Sequence, residues 1–101
     1  MKATYNGVVI AEADKKDTVL IEGGIYFPPD SLKKEFFKDS DGRETVCFWK
    51  GKASYYDVVA GGKISEMAAW YYAEPKDGSI DRVGKDFTKF VSFYPVVTIS
   101  E

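Results

Sequence analysis

Residues 45–59, TVCFWKGKASYYDVV, decide how the chain is read. They hold its only cysteine, one of two tryptophans, two lysines and a tyrosine pair. β-Branched and aromatic residues at short spacing favour a strand. Taken as one strand, Thr45, Cys47, Trp49, Gly51, Ala53, Tyr55 and Asp57 share a face. Val46, Phe48, Lys50, Lys52, Ser54, Tyr56 and Val58 share the other. Neither face is cleanly apolar over the whole run. Gly51 accounts for this if a bulge or bend there shifts the alternation. A strand that switches faces beside a lysine makes a pocket rim. The simpler reading is a twisted strand end whose lysine reaches for solvent.

Outward from this stretch, turn signals come often. Asn6 and Gly7 sit between Tyr5 and the apolar run 8–10, a two-residue hairpin signature, because both turn positions need positive φ. A charged turn at 14–17 leads to a strand over 18–22, which Gly23 and Gly24 join to a strand over 25–27. Gly61 and Gly62 follow the strand 55–60, and Asp41–Gly42 and Asp77–Gly78 mark further reversals. Pro28 and Pro29 start a short helix over 28–37, with Asp30 or Ser31 as N-cap and Leu32 and Phe36 facing the core. A second helical turn fits 79–83, ended by Gly84. The run 90–99 is β-like, with Pro95 ending a strand or sitting at an edge. The fold expected over residues 1–101 is mainly β: a single compact antiparallel domain with one or two short helices.

Composition narrows the chemistry. The chain has 101 residues, 45% hydrophobic and 30% charged, too apolar for disorder and enough for one core. A formal charge of −2 supplies no basic field for a phosphate backbone, so nucleic acid is not an expected partner. Apolar runs are far shorter than a membrane span, and the polar start MKATYNGVVIAEADKK is unlike a secretory leader. No membrane partner and a cytoplasmic location are the expectations. One cysteine excludes an intrachain disulfide and a cysteine-pair zinc site. The absence of histidine eliminates every Ser–His and Cys–His nucleophile pair. No cofactor is expected, and any acid or base must be carboxylate, lysine, tyrosine or thiol.

Five side chains stand out. Cys47 is a nucleophile if a nearby cation lowers its pKa, and Lys50 is three positions away; on a straight strand the two point to opposite faces. A buried inert thiol is the plainer reading. Lys50 suits a phosphate or carboxylate anchor, which needs only a point charge in a partly apolar site. Trp70 and Tyr72 share a strand face and can stack a ring, or simply fill the core. Tyr55 completes the set as a group that orients a polar atom.

The segments MKATYNGVVIAE, YFPPDSL, TVCFWKGKASYYDVV and AAWYYAEP, followed by VSFY, resemble the family known as domain of unknown function 427, DUF427. The most specific parts are Cys-x-x-Lys-Gly-x-Ala-x-Tyr, met by Cys47, Lys50, Gly51, Ala53 and Tyr55, and Ala-Trp-x-Tyr-x-x-Pro, met by Ala69, Trp70, Tyr72 and Pro75. Family members often have a proline where this chain has Phe48. The resemblance implies a β-rich, Mss4-like fold without the zinc, and no particular activity. A nucleotidyltransferase label sometimes attached to the family lacks support here. Such enzymes need a Gly-Ser element and strand-borne metal-binding aspartates, whereas Asp39–Ser40–Asp41 reads as a charged turn.

The resulting expectation is a small-ligand-binding domain whose pocket is lined by Lys50, Tyr55, Trp70, Tyr72 and Cys47, taking an anionic or aromatic ligand. Two alternatives stay open. One is an enzyme using Lys50 or Cys47 covalently; the other is a protein-interaction module without pocket chemistry.

Overall fold

Asn6 and Gly7 take left-handed backbone, at φ 50° and 77°, and close the first hairpin where the sequence places it. A computed structural model describes residues 1–101. Its strands are β1 (Lys2–Tyr5), β2 (Val8–Glu12), β3 (Val19–Ile21), β4 (Gly24–Tyr26), β5 (Phe37–Cys47), β6 (Gly51–Ala60), β7 (Lys63–Tyr71), β8 (Val91–Phe93) and β9 (Thr98–Ser100). The single α-helix is α1 (Ser79–Val83). It ends on Gly84, whose φ of 89° lets its N–H reach the Ile80 carbonyl at 2.8 Å. The strands form three antiparallel sheets, ordered β2-β1-β9, β3-β4 and β5-β6-β7-β8. The mainly β, antiparallel expectation holds.

The stretch 45–59 is not one strand. Thr45–Val46–Cys47 ends β5, Phe48, Trp49 and Lys50 turn, and Gly51 begins β6, with Cys47 paired to Gly51 and Thr45 to Ala53. Gly51 has φ 110°, a conformation that favours glycine, and this folds the chain back on itself rather than bending a continuous strand. The mixed character of the faces also has another cause: both faces of the four-stranded sheet are covered. Ala53 and Tyr55 on β6 go to one core and Val58 and Ala60 to the other. On β7 Ala69 belongs to the core of Val58 and Ala60 and Tyr71 packs against it, while Trp70 packs against the core of Ala53 and Tyr55, to which Tyr72 belongs. Period-two alternation therefore delivers apolar residues to both sides.

The first core joins β1, β2 and β9 to this sheet through Ala3, Ile10, Phe27, Val58, Ala69 and Val91, with Ile99 packed at its side. The second lies beneath the β3–β4 ribbon and contains Val19, Ile21, Tyr26, Ala53, Tyr55, Tyr72 and Phe87. Phe27 ties the ribbon to the main sheet, exchanging backbone bonds with Val91 at 2.8 and 2.9 Å. The radius of gyration, 13.0 Å, suits a compact chain of this length.

Three local expectations are corrected. Residues 28–37 form two 3-10 turns, Pro29–Ser31 and Lys34–Phe36, instead of one helix. Leu32 between them is extended and bridges Ala11, and the Lys33 N–H donates to the Ile10 carbonyl at 2.9 Å, so β2 captures the backbone that a helix would need. Asp41–Gly42 does not reverse the chain. Asp39 pairs with Tyr56 and Glu44 with Ser54, so residues 40–43 bulge against Tyr55 alone, and Asp39–Ser40–Asp41 lies within β5. The β3–β4 turn uses Glu22 and Gly23, at φ 52° and 81°, leaving Gly24 to open β4.

Candidate functional site

The turn at residues 48–50 positions the site. A side chain at Gly51 would meet the Lys76 nitrogen at 3.2 Å and the Glu74 oxygen at 3.4 Å, so only glycine admits segment 74–76 this closely. The Lys76 N–H donates to the Lys50 carbonyl at 2.9 Å and its Nζ to the Phe48 carbonyl at 2.8 Å, clamping the turn from outside. Thr45 lies opposite Ala53, so Thr45 and Cys47 face the second core, and the turn returns Lys50 to that same side.

Lys50 is the only charged residue among those buried, its side chain 10% exposed. Its ammonium lies 5.3 Å from the Trp49 ring centroid and 5.5 Å from that of Tyr72, within cation–π range of both. It donates to Glu22 Oε1 at 2.7 Å. Glu22 sits on the β3–β4 turn with its side chain 59% exposed and its backbone in the left-handed region, which a residue with a Cβ enters at some expense. Arg82 of α1 covers Trp49 from 4.3 Å. Two cations thus share one indole, and a carboxylate sits before them.

The electrostatics follow from this packing. Burial by itself would lower the Lys50 pKa, but the Glu22 hydrogen bond leads the opposing effects and the ammonium is held above the ordinary lysine range. The same hydrogen bond, then the charge of Lys50 and to a lesser degree of Arg82, pulls the Glu22 carboxyl below its usual value. Burial pushes the Tyr72 hydroxyl up to about 12.

The other sequence-derived residues surround the same core in different states. The Tyr55 hydroxyl is engaged by Thr45 Oγ1 at 2.8 Å. Trp70 donates its indole N–H to the Tyr26 hydroxyl at 3.1 Å and stands edge-on to that ring. Tyr72 packs edge-on against Phe87. Cys47 is half-buried against the cluster. Lys50 and Tyr72 therefore meet directly, while Tyr55 and Trp70 are committed to protein partners. Beside Trp49 and Arg82 opens a depression of about 240 Å³, bordered also by Phe48, Lys76 and Ser79. Sequence reasoning passed over Trp49, Glu22 and Arg82. Adjacency to Lys50 was a signal for Trp49; Glu22 and Arg82 lie far off in the chain and carried none.

Residues 1–99 match the family model described as a domain of unknown function, DUF427. The chain belongs to that family. Comparison with curated proteins finds no match. In this DUF427 chain the two sequence patterns converge on one place. Lys50 and Gly51 form the clamped turn, Ala53 and Tyr55 enter the second core from β6, and Trp70 and Tyr72 meet it from the end of β7. Pro75 falls in the segment that covers Gly51.

Proposed function

We propose that the protein is a small-ligand-binding domain that takes an anionic group at Lys50. The observation that carries this reading is the Lys50–Glu22 pair. A cation drawn under two aromatic rings is paired with a carboxylate that is itself largely in solvent, on a turn whose backbone is strained for glutamate. Glu22 stands where the carboxylate or phosphate of a ligand would stand. Swinging it outward would open the way to Lys50, and the depression bordered by Trp49 and Arg82, though not by Lys50 itself, would take the remainder of the ligand. The covalent alternative is disfavoured for Lys50 while Glu22 is in place, because that hydrogen bond keeps the amine protonated and a protonated amine is not a nucleophile.

Thermal-shift screening of phosphorylated and carboxylated metabolites tests the reading against wild type, Lys50→Met, Glu22→Gln and Arg82→Ala. A ligand at a hundredfold excess over its Kd adds ~2.7 kcal/mol to wild type. Lys50→Met should lose that response, and Glu22→Gln should strengthen it by removing the internal competitor. If no anionic compound stabilises wild type, or Lys50→Met responds equally, Lys50 is a structural cation and the reading fails.

An interaction module is the second reading, favoured by one observation. Val46 and Phe48, beside and on the β5–β6 turn, are 79% and 81% exposed. A partner captured by wild type and lost in Val46→Ser/Phe48→Ser, with anion binding absent, would select it.

A further inference from the structure

The opposite face of the four-stranded sheet holds a second groove, separate from Lys50. Tyr56 on β6 and Tyr71 on β7 stack at 4.7 Å between ring centroids with their planes 25° apart, and Phe37 meets Tyr56 edge-on at 5.6 Å. All three are half-buried, packed below against the first core. Above them lies a depression of about 550 Å³, and a neighbouring one of about 290 Å³ shares Pro29, Lys34, Asp39 and Tyr56 with it. The rim carries four exposed charges, Asp30, Lys34, Asp39 and Lys89. None of them takes part in the protein's ion pairs, which join Lys15 to Glu101, Arg43 to Glu66, Lys50 to Glu22 and Lys52 to Glu44. Lys89 reaches the rim from a backbone at φ 63°, a conformation that disfavours lysine; its N–H donates to the Tyr72 carbonyl at 2.9 Å.

This combination restricts the ligand. Two aspartates and two lysines cancel in formal charge, so the groove exerts little net pull on an anion or a cation. The aromatic floor requires an apolar face. The rim requires an edge bearing both hydrogen-bond donors and acceptors, because carboxylates only accept and ammoniums only donate. An extended peptide is a poorer fit over the rings: the stacked tyrosines stand on β6 and β7, internal strands bonded on both sides, so a strand-pairing peptide would have to lie along the outer edge of β5 instead. Burial holds the Tyr56 hydroxyl at about 12, so at neutral pH it stays protonated, able to donate as well as accept.

We infer that this groove binds a neutral sugar ring, its C–H face on the Tyr56–Tyr71 stack and its hydroxyls on Asp39, Lys34 and Lys89. The test is an NMR titration of the whole chain with the methyl glycosides of glucose, galactose and N-acetylglucosamine and with cellobiose and chitobiose. At least one should bind saturably, with shifts centred on Tyr56, Tyr71 and Lys89 and an affinity insensitive to salt. Tyr71→Ala should weaken it by at least about tenfold. Because that ring also packs on the core, Asp39→Asn and Lys89→Asn serve beside it; both are exposed, and asparagine tolerates the Lys89 backbone. Each should weaken binding severalfold, while Lys50→Met should not change it. The inference is overturned if none of these sugars binds, if the shifts fall elsewhere, or if both exposed variants bind like wild type. Salt-sensitive binding of a charged dipeptide in their place would likewise overturn it and assign the groove to peptides.

Discussion

Lys50 and Glu22 are 28 positions apart in the chain, yet their side chains meet at 2.7 Å. The partners are unequal: the ammonium is buried and the carboxylate is mostly in water. Removing one is therefore not equivalent to removing the other. Lys50→Met keeps the stem packing and frees a carboxylate that solvent already reaches, so stability should stay within about 1 kcal/mol of wild type. Glu22→Gln leaves a buried ammonium without its counter-charge and should destabilise more. Urea unfolding of the two variants gives the order; the reverse order would mean that Lys50 is stabilised chiefly by its aromatic neighbours.

The pH dependence has two limbs. The Glu22 pKa is lowered in the folded state, so its contribution is present above the ordinary carboxylate value of 4.5 and is lost as pH falls through the folded value. The pKa values of Lys50, Tyr56 and Tyr72 are raised, so their contributions are complete below the ordinary values of 10.5 and 10.0 and are lost as pH rises through the folded ones. Stability should be flat through neutrality, falling in acid below 4.5 and in alkali above 10.0. Melting curves across pH check this. Tyr56→Phe, which keeps the ring and removes the proton, should soften the alkaline limb alone.

Two hairpin tips are tied together by Asn6, whose Nδ2 donates to the carbonyls of Ala60 and Gly61 at 3.1 Å each. A Cβ on Gly61 would approach that nitrogen to 2.5 Å, at φ 59°. Gly61→Ala should lose about 1–2 kcal/mol from backbone conformation and more from displacing Asn6. In an Asn6→Gly background the second loss should vanish. A double-mutant cycle measures the difference, and strict additivity would show that the contact carries no energy.

The Tyr55 hydroxyl is already bonded to Thr45, across the β5–β6 pair. Tyr55→Phe should lower stability by about 1 kcal/mol and leave the affinity for an anionic ligand unchanged. A large loss of affinity without loss of stability would restore Tyr55 to the ligand.

The local signals were legible where one or two residues decide the conformation. Asn6–Gly7, Gly61–Gly62 and Gly84 all take the left-handed backbone that their sequence suggests, because the preference belongs to the residues themselves. The proline pair misled for the opposite reason. Its preference for a helix start is weak beside the backbone bonds that β2 offers to Leu32 and Lys33.

The amino-acid sequence by itself determined the antiparallel β class, the positions of most turns and the short helix before Gly84, and it singled out Lys50 as a candidate. Only the tertiary structure decided that residues 45–59 are a hairpin, that the main sheet is covered on both faces, and that Glu22 and Arg82 gather at the lysine. Alternation assigns side chains to two faces but says nothing of what covers each face. Contacts between distant segments depend on how the sheets pack, and a charge such as Glu22 looks like any other surface carboxylate until that packing brings its partner within reach.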